Sequence, residues 1–107
     1  MILRQLAHAR TGDKGDISNI SIIAYHEADY TKLCAALNTE RVKSRLEQVA
    51  AKVNGEDPQL TVMRYLLPRI WALNFVVTGS LYGGVTKSLA LDAHGKTLGS
   101  LLMDMDI

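Results

Sequence analysis

Residues 9–19 read ARTGDKGDISN, with two glycines, two aspartates, a lysine and an arginine, and Ile17 as the only bulky apolar side chain. A run this polar between two apolar strand-like segments decides the start of the fold. Before it, Ile2 to Arg10 reads as a strand, with Ile2, Arg4, Leu6, His8 and Arg10 on one side and Leu3, Gln5, Ala7 and Ala9 on the other. The small alanines suit a face packed closely under helices. After it, NISIIAYH alternates better, with Ile20, Ile22 and Ala24 against Asn19, Ser21, Ile23 and Tyr25. Two strands joined by one polar connection most simply form an antiparallel hairpin, with the connection at its tip or rim.

Two helices follow. Tyr30, Leu33, Cys34 and Leu37 fall at i, i+3, i+4 and i+7, one apolar stripe. Val42, Leu46, Val49, Ala50 and Val53 repeat it, while Arg41, Lys43, Arg45, Glu47 and Lys52 take the outer face. Asn38 and Thr39 are suitable N-caps, and Glu40 places negative charge where the helix dipole favours it. Asn54-Gly55 offers a left-handed exit and Pro58 prevents resumption. LTVMRYLL then returns to strand character, whereas RIWALNFVV is apolar on all sides and fits a buried strand or a short buried helix. VTKSLALD reads as a further strand, and the C-terminal segment as a short helix followed by an extended tail. Strands with helices inserted between them predict an α+β fold: a two-layer sandwich of an antiparallel sheet with helices on one face.

At 107 residues the chain forms one domain, because two halves would each be too small to bury an adequate core. A composition 48% hydrophobic and 21% charged is that of a soluble globular protein, and a formal charge of +1 gives no pull towards nucleic acid or a membrane surface. The single cysteine, Cys34, excludes an internal disulfide and fits a reducing compartment. No apolar stretch is long enough for a signal peptide or a membrane helix, and the chain is expected in the cytoplasm.

Gly12 and Gly15 permit positive φ and present backbone N–H groups, and Arg10 and Lys14 add charge suited to a phosphate or carboxylate. Asp13 and Asp16, with Ser18 and Asn19, offer instead oxygen ligands for a divalent cation. The spacing matches neither an EF-hand nor a Walker A loop. A plain hairpin connection whose aspartates cap its own N–H groups explains the same residues. A second glycine-rich segment, Thr78 to Thr86, carries Gly79, Ser80, Gly83 and Gly84. Two such segments in one small domain could converge on a shared site. His8 precedes the first and could serve it as a base; His26 stands at a helix start and His94 in a turn, with no metal-binding spacing among them. Cys34, Ser18, Ser80 and Ser88 are the available nucleophiles, none in a recognisable catalytic setting. Trp71 and Phe75 are expected in the core, and Asn74 bonding backbone in a buried segment.

ARTGDKGDISNISIIAY, ALNFV at 72–76, GSLYGGVTKSL at 79–89 and LDAHGKTLG at 91–99 together resemble the small domain at the C-terminal end of AtuA-like proteins, the acyclic terpene utilisation family. The resemblance implies a ferredoxin-like α+β fold and a link to catabolism of acyclic terpenes or related branched acyl-CoA compounds. The family's larger N-terminal domain has no counterpart here, which suggests a homo-oligomer or a small subunit of a larger AtuA-like chain. Ile2 and Leu6, or the apolar 70–77 segment, would then meet the partner. The leading expectation is an accessory subunit binding an acyl-CoA-type ligand through Arg10, Gly12, Asp13, Lys14, Gly15, Asp16 and Asn19 of the first segment and Gly79, Ser80, Gly83 and Gly84 of the second. The alternatives are a small hydratase or hydrolase with His8, Asp13 or Asp16 as acid/base groups, and a purely structural oligomerisation domain.

Overall fold

A computed structural model describes residues 1–14, 17–54, 60–79 and 98–107. Its elements are β1 (Ala7–Lys14), β2 (Ile17–Ala24), α1 (Glu27–Ala36), α2 (Thr39–Asn54), β3 (Leu60–Leu67), β4 (Ala72–Gly79) and α3 (Leu98–Leu102). The four strands form one antiparallel sheet in the order β1-β2-β4-β3, with helices on one face. The expected two-layer, ferredoxin-like α+β sandwich is therefore the observed one. RIWALNFVV resolves into a 3₁₀ turn, Pro68–Ile70, and strand β4. VTKSLALD, Gly55, Pro58 and His94 lie outside the described residues.

Two expectations are corrected. The first strand begins at Ala7, not Ile2, because Leu3 and Leu6 are both buried. A spacing of three cannot lie on one side of a strand, but it suits the 3₁₀ turn Leu3–Gln5, where i and i+3 superpose. The 9–19 segment is also mostly strand. Pairing runs from Ala7↔Ala24 to Lys14↔Ile17, leaving only Gly15 and Asp16 between the paired ends. So polar a sequence can pair because, among the described residues, β1 is an edge strand, bonded on one side and covered by helices on one face.

Alternation divides the two central strands, with Ala72 at the start of β4 the buried exception on the face without helices. Ile20, Ile22, Leu73, Phe75 and Val77 are fully buried beneath the helices. The alanine side of β1 packs there as expected, with Ala7 buried and Ala9 against the core. Leu33 and Leu37 of the first helical stripe, and Val42 and Leu46 of the second, meet it from above. Asn38 caps α2, its Oδ1 accepting from the Arg41 N–H at 2.8 Å. Arg64 sits on the helix side of β3 and closes the end of α1, its guanidinium donating to the carbonyls of Cys34 at 2.7 Å and Leu37 at 3.0 Å. Tyr30 donates to the Ala72 carbonyl at 2.9 Å, tying α1 to the start of β4. Burial pushes the Tyr30 hydroxyl above its ordinary pKa, and Cys34 beside it acts in the same direction.

The tail runs back along the N-terminus, with Ile2 bridged to Asp106 and the Leu3 and Arg4 N–H groups bonded to the carbonyls of Met105 and Met103. Arg4 pairs with Asp104, and the Met1 ammonium holds the Asp106 carboxyl below its usual range. Helix α3 lies so close to β1 that a Cβ on Gly99 would stand 2.8 Å from Thr11 Oγ1 and 3.0 Å from Ala9 Cβ. The Gly99 N–H uses that proximity, donating to Thr11 Oγ1 at 2.9 Å.

Gly99→Ala should therefore destabilise the domain by about 1–3 kcal/mol through overpacking. In a domain this small, thermal unfolding should begin to shift by roughly 4–8 °C per kcal/mol. Tyr30 gives a pH signature of defined sign. A hydroxyl whose pKa is raised in the folded state favours folding below the unfolded value of 10.0, and that contribution fades as pH climbs beyond it. Wild type should thus lose stability above about pH 10 more steeply than Tyr30→Phe, a difference that denaturant midpoints across pH 8–11 would measure.

Candidate functional site

The ladder separates the residues of the first glycine segment. Gly12 stands opposite Asn19. The bond from the Tyr25 N–H to the Leu6 carbonyl sets the alternation of paired groups along β1 and β2. Counted by twos, it turns the Gly12 N–H towards Asn19 rather than towards a ligand. No atom lies within 4 Å of a Cβ built on Gly12, so neither a turn nor crowding accounts for this glycine. Arg10, opposite Ser21, is exposed on the face without helices.

The ends of the two glycine segments do meet. Ile17 pairs with Lys14 on one side and with Thr78 on the other, and Gly79 follows opposite Leu60. The flanks of both segments thus share one end of the sheet. Asp13 occupies the register position opposite Ser18. Gly15, Asp16, Ser80, Gly83 and Gly84 lie outside the described residues. Among the described residues no group of three His, Cys, Asp or Glu side chains could hold a metal ion.

His8 belongs to the opposite end. It pairs with Ile23, six residues from Lys14, which is about 20 Å along an extended strand. Its ring stacks on Tyr25 at 5.5 Å between centroids and 28° between planes, and its buried Nδ1 has no hydrogen-bond partner. The structure does not bring His8 to Asp13.

The face without helices carries a feature the sequence reading missed. Arg10, Ser21, Asn74 and Tyr65 lie in one row across β1, β2, β4 and β3. Ser21 Oγ donates to Asn74 Oδ1 at 3.1 Å, and Asn74 Nδ2 donates to Asn19 Oδ1 at 3.4 Å. Asn74 therefore bonds side chains on the open face, not backbone in the core. The available signal was that Asn19, Ser21 and Asn74 each occupy the non-apolar phase of an otherwise apolar strand.

Apolar residues surround this row. Met63 and Val76 are neighbours in the next row, and Ile23, Ala72 and Leu67 share the row beginning at His8. Leu66 to Ile70 line a shallow apolar hollow of about 320 Å³ at the β3–β4 corner. Trp71 at that corner is 36% exposed rather than in the core, and takes a left-handed conformation, φ 54°. Such a φ is strained for so bulky a residue, and the Trp71 carbonyl accepts the Ala24 N–H at 2.9 Å, tying this corner to the end of β2. Of the residues expected to meet a partner, Leu6 is buried and Ile2 lies beside the tail. Within 70–77 the exposed positions are Ile70 and Trp71, while Leu73, Phe75 and Val77 belong to the core.

The AtuA ferredoxin-like domain family matches residues 1–107, the whole length. The chain belongs to that family. No curated protein and no solved structure matches it. The family accounts for the α+β fold; among the described residues no helix is long and apolar enough to cross a membrane.

Replacing Asn74 by Ala removes both bonds of the open-face network. The loss should cost about 1 kcal/mol, a modest figure because the face is open to water. Ser21→Ala and Asn74→Ala combined should cost less than the sum of the two, which a double-mutant cycle in urea would read as coupling.

Proposed function

We propose that this AtuA ferredoxin-like domain is a ligand-binding accessory subunit that acts with a larger AtuA-like chain on acyclic terpene or branched acyl-CoA compounds. The observation that carries the reading is the register that sets Lys14, Ile17, Thr78 and Gly79 side by side at one sheet end. That arrangement supports a single anion site built from both glycine segments. Lys14 supplies charge, and backbone N–H groups at Gly15, Gly83 and Gly84, with Ser80, supply donors for a phosphate or carboxylate. Asp13 and Asp16 hold the segment or a divalent cation. Arg10 and Asn19 belong to the sheet face rather than to this end, and Gly12 serves the ladder. A stand-alone hydratase or hydrolase would have to draw its acid and base from Asp13 and Asp16, because His8 lies at the far end of β1.

Thermal unfolding against Mg²⁺, Ca²⁺, phosphate, CoA and a branched acyl-CoA tests the site. A ligand at about 100 times its Kd should add ~2.7 kcal/mol to the folded state, several degrees in a domain of this size. Lys14→Ala should abolish the shift given by phosphate or CoA while leaving the ligand-free midpoint nearly unchanged. A shift removed instead by Asp13→Ala would assign the site to a cation, and the absence of any shift would refute a site completed by this chain alone. Turnover of the acyl-CoA should require the larger chain; turnover by the purified domain would favour the enzyme reading.

A further inference from the structure

We draw no further inference here: the strongest candidate, the shallow apolar hollow lined by Leu66 to Ile70 at the β3–β4 corner, carries nothing because nothing in the structure shows what covers it.

Discussion

The pairing of β2 with β4 is the constraint on which the other elements depend. The β1–β2 and β3–β4 hairpins close over short connections, but β2 meets β4 only after the chain has passed through both long helices. Closing that distance costs entropy before any contact offsets it. The offset is visible in the register: Ile20 opposite Phe75 and Ile22 opposite Leu73, all four fully buried. At about 1.5–3 kcal/mol for each large apolar side chain removed from water, this seam can hold the two hairpins together. A slip of one residue would turn Phe75 to the open face and Asn74 into the core, so the seam also fixes its own register.

The helical layer is fastened to that sheet by two different devices. Gly99 lets α3 come within contact distance of Ala9 and Thr11, and the small residues of β1 make room for it. Arg64 works by the opposite means, spending a long charged side chain on the core side of an edge strand. Its guanidinium satisfies carbonyls that the end of α1 leaves without intrahelical partners. Both joints are made to backbone or small atoms, where a change of one methyl group or one donor is felt directly.

Local signals in the sequence were legible. The stripe through Leu33 and Leu37, the Asn38 cap and the small alanines of β1 each depend on neighbours within a few residues. The helix and tail at the C-terminus were readable for the same reason. What was not legible depends on pairing. The ARTGDKGDISN segment looks like a loop because its composition is polar, and only the partner strand beside it makes six of its first residues part of a ladder. Leu3 and Leu6 were read with a period of two when burial requires three. Trp71 was placed in the core on hydrophobicity, yet the corner it closes is set by the direction of β2. His8 and the aspartates seemed close in sequence because an extended strand hides how far six residues reach.

The open-face network shows why polar residues, rather than apolar ones, give such a surface its selectivity. Met63, Val76 and Leu67 would accept any apolar cover at similar cost, since burial of area is not directional. Asn74 would not. Its Oδ1 already accepts from Ser21 and its Nδ2 already donates to Asn19 Oδ1, so both ends of the amide are engaged within the sheet. Any surface laid over Asn19, Ser21 and Asn74 must therefore leave these bonds intact or answer their groups in turn, since each buried group left unpaired costs about 1–3 kcal/mol. Met63, Val76 and Leu67 supply the area, and the linked Asn19, Asn74 and Ser21 side chains limit how a cover can sit on it.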